Sequence, residues 1–380
     1  MDDMIKLGDV ATYINGYAFK PEDRGEVGLP IIRIQDLTGN AYDLGFYNGE
    51  YPDKIEINDG DVLISWSASL GVYVWNRGKA LLNQHIFKVA FDKVEINQNY
   101  FVYAVRYKLA EMEMKTHGAT MKHIVKKDFD TTQIPYPSLK KQLEIATNLN
   151  KISKIVEKRK MELKLLDDFM KARFVEMFGN PVLNDRGWKQ VPLGVVTTKI
   201  GSGATPKGGK GAYQESGVTL IRSMNVHNGR FEYKELAHIS DEQARKLDNV
   251  VMEEKDVLLN ITGASVARSC IVPTEILPAR VNQHVCIIRC KECIIPEFLN
   301  KLLIDDNYQK LLWSIAGSGA TREAITKQQV EKLQIILPPV KLQNKYIEFC
   351  NQIDKSKVAV QKALDEAQLL FDSLMQEYFG

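Results

Sequence analysis

Hydrophobic positions fall in two rhythms that alternate along the chain. Short apolar runs, Pro30-Ile31-Ile32-Arg33-Ile34 and Asp61-Val62-Leu63-Ile64-Ser65-Trp66 among them, have strand length and β-branched content. Asn58-Asp59-Gly60 and Thr38-Gly39-Asn40 punctuate them as turns. Residues 99 to about 114 and 296 to about 313 read as helices. From about Ser138 to Met177 no Pro or Gly interrupts the chain. There Leu143, Ala146, Leu149, Ile152, Ile155, Val156, Leu163, Leu166, Phe169, Met170, Phe174 and Met177 keep helical spacing in a narrow stripe. The rhythm returns from Leu342 through Tyr346, Phe349, Ile353, Val360, Leu364, Ala367, Leu370 and Leu374 to Tyr378. Pro137 and Pro338-Pro339 stand where these long helices begin, and Gly179 where the first stops.

The two rhythms return because the chain is duplicated. Leu7-Gly8-Asp9-Val10 and Ile14-Asn15-Gly16 are matched by Leu193-Gly194-Val195-Val196 and Ile200-Gly201-Ser202-Gly203. Ile31-Ile32-Arg33-Ile34 returns as Leu220-Ile221-Arg222-Ser223, and Gly60-Asp61-Val62-Leu63-Ile64 as Lys255-Asp256-Val257-Leu258-Leu259. Asn83-Gln84-His85 recurs as Asn282-Gln283-His284, and Gly118-Ala119-Thr120 as Gly319-Ala320-Thr321. Gln133-Ile134 matches Gln334-Ile335, Gln142 matches Gln343, and each copy ends in Phe-Gly, at 178–179 and 379–380. One such match is chance; the ordered series is a repeat.

The expected fold class is α+β: two β-rich or mixed domains joined by two long helices. A helix of about 40 residues is about 60 Å long. Alone it cannot bury its stripe, so the two helices are expected to pair as an antiparallel coiled coil with a pseudo-two-fold axis. The alternative is that each packs on its own domain. The boundaries read as 1–137 for the first domain, 138–179 for the first helix, 180–337 for a linker and the second domain, and 338–380 for the second helix.

Composition adds limits. A formal net charge of +2 over 380 residues places any nucleic-acid contact on a local basic surface. No apolar run approaches the ~18–20 residues of a membrane span. Met1-Asp2-Asp3-Met4 lacks a signal-peptide pattern, so a cytoplasmic location is expected. Five cysteines, all in the second half, form a poor disulfide framework.

Chemistry is sparse. Asn180-Pro181-Val182-Leu183 lacks the second Pro and the aromatic residue of an amino-methyltransferase motif, which weighs against a stand-alone DNA methyltransferase. Thr205-Pro206-Lys207-Gly208-Gly209-Lys210-Gly211 has the wrong spacing for an ATP-binding loop and reads as a flexible basic loop near DNA phosphate or as a plain surface loop. Cys286-x-x-x-Cys290-x-x-Cys293 has iron–sulfur spacing, but the aligned positions in the first copy are Phe87, Phe91 and Val94. Cysteine there replaces apolar side chains, and no metal site is expected. No nucleophile recurs beside His85 or His284, so the Asn-Gln-His element reads as loop structure or a DNA-facing turn.

The order of motifs resembles the specificity subunit of Type I restriction–modification systems. Gly187-Trp188 through Leu193-Gly194 looks like the opening of its domains, and Ile200-Gly201-Ser202-Gly203-Ala204-Thr205-Pro206 like the stretch that follows. The first copy lacks the Trp and keeps only Ile14-Asn15-Gly16. The Asn-Gln-His, Gly-Ala-Thr and Pro-Pro-…-Gln elements also match, over essentially the whole chain. The resemblance implies a non-catalytic DNA-binding subunit of a defence system, with two target recognition domains that each read half of a bipartite site. It implies helices that set the gap and dock two modification (methyltransferase) subunits, joined by restriction (translocase and nuclease) subunits. S-adenosylmethionine, ATP and Mg would belong to those partners, with no cofactor on this chain. A scaffold binding only protein is the competing reading.

Reading double-stranded DNA needs donors and acceptors at base edges and cations at phosphates. The candidates are Arg33, Gln35, Ser65, Trp66, Lys79, Lys122 and Lys126 in the first domain. In the second they are Lys207, Lys210, Arg222, Asn225, Asn260, Thr262, Arg268 and Arg322.

Overall fold

The computed structural model describes residues 3–40, 43–115, 124–205, 211, 213–317 and 323–380. The chain divides into two units, Met1–Met161 with Gln361–Gly380, and Glu162–Val360. Each unit holds a four-stranded antiparallel sheet whose pairing the repeat dictates. In the first unit the order is Thr12–Asn15, Ile86–Ala90, Val62–Ser65, Gly71–Val74. In the second it is Thr197–Ser202, Val285–Cys290, Val257–Asn260, Ser269–Ile271. A second sheet in each, of four strands in the first unit and three in the second, contains one parallel pair, Leu29–Ile32 with Ala80–Leu82 and Val218–Ile221 with Ala279–Val281. The outermost pair of each domain is also repeated: Met4–Lys6 with Gln133–Pro135, and Gln190–Pro192 with Gln334–Ile336.

Two helices of 40 residues, Leu139–Phe178 and Val340–Phe379, follow the domains. Each contributes to both units. In the first unit Ile145, Ala146 and Leu149 of the first helix share a core with Met375 and Phe379 of the second. That core also holds Tyr100, Phe101 and Phe129 of the domain. In the second unit Met170, Phe174 and Phe178 share a core with Tyr346, Ile347 and Cys350, together with Phe298 and Tyr308. There Asp167 meets Lys357 at 2.6 Å while Phe174 lies 5.5 Å from Tyr346, so the helices run antiparallel. Helix pairing and packing on the domains are therefore one arrangement rather than alternatives.

Repeated residues explain the joints. Phe178 and Phe379 are fully buried, and each such side chain contributes about 1.5–3 kcal/mol. Gly179 follows at φ +74, the left-handed conformation that ends the helix. The Trp188 indole donates to Phe178 O at 3.0 Å and covers that end. Asn180 Oδ1 accepts from Val182 N and Leu183 N, which makes Asn180-Pro181 a capped turn. Gln142 is fully buried; its amide donates to Pro137 O at 2.8 Å and accepts from Asn97 N at 2.9 Å. Gln343 repeats this, donating to Pro338 O at 2.8 Å and Cys293 O at 3.2 Å and accepting from Ile295 N at 2.8 Å.

One expected helix is two. Pro296–Leu303 ends and Asp306–Gly317 begins because Asp305 Oδ1 accepts from Asn307 N and Tyr308 N. The first-copy helix is continuous, Gln98–Lys115. Pro30–Ile34 is also split: the strand stops at Ile32, and Arg33 caps a short helix, Ile34–Thr38.

Candidate nucleic-acid interface

The ladders fix which residues of the two units correspond. Ile64 pairs with Phe87 and Leu259 with Cys286; Ser65 pairs with Ile86 and Asn260 with Val285. Cys286 thus takes the place of Phe87, in the core beneath the sheet. Burial raises the Cys286 and Cys290 thiols to about 12, while Cys293 is exposed. Among the described residues no group of three or more His, Cys, Asp or Glu could hold a metal.

Several expected DNA contacts are internal. Ser65 and Asn260 are both fully buried. Ser65 Oγ donates to Ser69 O at 2.6 Å, and Asn260 Nδ2 donates to Ser223 O at 2.8 Å. Asn225 is also fully buried, with its amide on Glu232 O at 2.9 Å. Polar residues at the end of an apolar strand here tie down the neighbouring loop.

Arg33 and Arg222 form a second matched pair. Arg33 N donates to Asp36 Oδ2 at 2.8 Å, and its Nε reaches the same oxygen at 3.0 Å. The Asp36 carboxylate raises the Arg33 guanidinium further above its ordinary value. Arg222 N donates to Asn225 Oδ1 at 3.0 Å, and its guanidinium binds Glu235 O and lies over Tyr213. Both arginines brace the turn after the parallel strand.

Other candidates reach solvent. Gln35 is exposed, its amide beside the Arg33 guanidinium. Lys79 is exposed and bound to Glu56 at 2.8 Å, which raises its ammonium. Lys126 is exposed and pairs with Asp130 at 2.7 Å. Trp66 is half-buried, stacked on Phe87 with centroids 5.5 Å apart. Thr262 Oγ1 lies 2.5 Å from His284 Nδ1. Arg268 is half-buried and in no ion pair among the described residues. Lys122, Lys207, Lys210, Arg322 and both Gly-Ala-Thr elements lie outside the described residues.

The Asn-Gln-His element is a turn built by its asparagine. Asn83 Oδ1 accepts from Gln84 N at 2.8 Å, and Asn282 Oδ1 from His284 N at 3.0 Å. A glycine lies against the same place in each unit. A Cβ on Gly16 would fall 2.0 Å from Asn83 O, and one on Gly203 1.7 Å from Val281 O. The ladder therefore matches Gly16 to Gly203. The middle residues, Gln84 and Gln283, are exposed in both units. The candidate set missed these amides, although their place between a structural Asn and a recurrent His was a signal.

The arrangement can present amides, hydroxyls and cations on a rigid, internally braced framework. That suits recognition rather than bond chemistry. The Type I restriction modification DNA specificity domain matches the chain twice, over residues 3–165 and 185–367. The Type I restriction enzyme EcoBI specificity subunit of Escherichia coli is 23% identical, covering 98% of this chain and 83% of that protein. The MjaVIII specificity subunit of Methanocaldococcus jannaschii is 22% identical, covering 95% and 89%. The fold is similar to the crystal structure of the Type I restriction–modification system S subunit from M. genitalium. That likeness has a TM-score of 0.59 at 14% identity, over 100% of this chain and 96% of the other. A structure described as the basis of complex assembly and conformational transition of the Type I system matches at TM-score 0.60 and 16% identity, over 99% and 97%. Carrying two copies of that domain, the chain belongs to the Type I restriction modification DNA specificity domain family.

Proposed function

We propose that this chain is the sequence-specific DNA-binding subunit of a Type I restriction–modification complex, each recognition domain reading one half of a bipartite site. The observation that carries this is the contrast between framework and surface. Ser65 and Asn260, Arg33 and Arg222, and Gln142 and Gln343 brace both units alike. Beside them exposed positions differ, as Gln35 does from Met224 two residues after the paired arginines, which suits two readers of different half-sites.

The subunit is non-catalytic, and the chemistry belongs to modification and restriction subunits that bind S-adenosylmethionine, ATP and Mg. Two modification subunits dock on the long helices. In support, Leu143, Ile155 and Met161 in the first unit, and Leu165, Phe169 and Val358 in the second, are exposed apolar side chains on those helices. The complex works in the cytoplasm; no helix among the described residues is long and apolar enough to cross a membrane.

Methylome sequencing of a host carrying this chain with its modification subunit tests the reading. The expected result is one bipartite methylated motif with a fixed gap. Duplex binding by the assembled complex should weaken steeply with salt. Binding indifferent to salt and sequence would favour a protein-binding scaffold instead.

A further inference from the structure

The first unit holds a cavity of about 300 Å³ lined by Tyr13, Asn15, Trp66, Phe87, Val125 and Lys126. Its floor is aromatic. Trp66 and Phe87 stack at 5.5 Å with 23° between their planes, and Tyr13 tilts against Phe87 at 6.0 Å. Lys126 stands at the rim, its Nζ 5.8 Å from the Tyr13 ring and 6.0 Å from Phe87. Trp66 also meets His85 of the Asn-Gln-His turn edge-on at 5.0 Å.

The second unit has a cleft that overlaps the equivalent place in part. Tyr13 pairs with Val89 as Ile200 pairs with Ile288, and Asn15 with Phe87 as Ser202 with Cys286. Lys126 and Lys327 open equivalent short helices, and each pairs with an acid four residues on. Ile200, Ser202 and Lys327 line the second cavity, a wider cleft of about 800 Å³. Ile261 and Cys286 stand where the first unit has Trp66 and Phe87, and neither lines that cleft. The cation and two wall positions are repeated, and the aromatic floor is not.

A feature that distinguishes the two half-sites must occupy matched positions with different side chains. This cavity does. Its volume lies at the small end of ligand sites, which suits one planar ring. Stacked aromatic faces bind a base through its π-surface. A surface ion pair such as Lys126–Asp130 is worth little, so the ammonium is free to turn to a phosphate. We propose that the aromatic cavity of the first unit receives one nucleobase of its half-site, lifted from the stack and seated on Trp66, with Lys126 beside its phosphate. The proposal rests on the DNA-reading function and adds a pocket for an unstacked base to it.

The test uses the complete modification complex and the bipartite duplex defined by methylome sequencing, with 2-aminopurine placed at each position of both half-sites in turn. One position in the half-site read by the first domain should be unstacked yet quenched in the wild-type complex. It should brighten with Trp66→Ile, which installs the residue type of the second unit. Binding should weaken roughly five- to hundredfold, the loss of one stacked base. Lys126→Gln, an exposed change, should keep the quenched signal, weaken binding and lower the salt dependence. Wild-type complex that binds the duplex with no position responding to Trp66→Ile overturns the pocket and leaves DNA reading intact. A complex that binds no bipartite duplex overturns the reading beneath it. If Trp66→Ile fails to assemble, Lys126→Gln decides: unchanged affinity and salt slope sink the proposal.

Discussion

Replacing Gln343 by Leu should destabilise the second unit without changing the DNA sequence read. Gln343 is fully buried and makes three hydrogen bonds, to Pro338 O, to Cys293 O and from Ile295 N. Leucine has similar volume and none of those groups. Leaving each of the three partners unpaired costs about 1–1.7 kcal/mol, the lower part of the range for a buried donor or acceptor, while the added apolar burial offsets about 1 kcal/mol. The expected net loss is about 2–4 kcal/mol. For a unit of this size, Tm falls about 2–4 °C per kcal/mol, hence roughly 5–15 °C. Thermal unfolding gives the total, and hydrogen exchange at Ile295 N–H localises it. A shift equivalent to less than about 0.5 kcal/mol, with the Ile295 amide still protected, would refute the reasoning. Gln142→Leu should act likewise on the first unit, through Asn97 N–H.

Four further outcomes are expected. Adding one heptad to both long helices lengthens them by about 10 Å, so the gap should grow by about 3 base pairs with the half-sites unchanged; sequencing of methylated sites reads this directly. Asn260→Ala should cost about 1–3 kcal/mol in urea unfolding and leave base preference as it was, because its amide holds Ser223 O inside the domain. Arg268→Ala should weaken binding uniformly across sequences and lower the salt slope by about 1, as for a phosphate contact; a changed motif would contradict that role. Burial raises the Cys270, Cys286 and Cys290 thiols to about 12. The folded state therefore keeps them neutral where the unfolded chain ionises. Their contribution is whole below about pH 9 and falls as pH rises towards 12, by up to about 1.4 kcal/mol per pH unit per thiol. Cys286→Val should flatten the alkaline decline, measured as stability against pH.

The repeat made the architecture legible because its markers are joints. Gln142 with Gln343 and Phe178 with Phe379 recur since each is buried at a helix end, where few side chains satisfy the geometry. The long helices announced themselves by an unbroken stripe. The break at Asp305 did not, since Leu302, Leu303, Leu311 and Leu312 keep apolar positions coming on both sides of it. Its signal was local: Asp305-Asp306-Asn307, acceptors suited to start a new helix. Site residues were harder. Arg33 and Arg222 have the chemistry of base readers, and only the fold shows their guanidinium groups occupied. Ser65 and Asn260 follow apolar strands, where sequence alone does not say which way a terminal polar side chain turns. The Tyr13–Trp66–Phe87 floor joins three separate segments, so no local pattern could reveal it.

The division of the helices between units has a consequence for the order in which the protein forms. Chains emerge from the ribosome N-terminus first, and domains usually fold in that order. Here the second unit is one continuous stretch, Glu162–Val360. The first needs Gln361–Gly380 as well, a segment that emerges after the whole second unit. Until then Tyr100 lacks Phe379 beside it, Lys108 lacks the Phe379 carbonyl, and the Tyr107 hydroxyl lacks Gln376. The unit that begins first is thus completed after the second, so a chain stalled or cut within Gln361–Gly380 would carry a finished second reader and an unsealed first one.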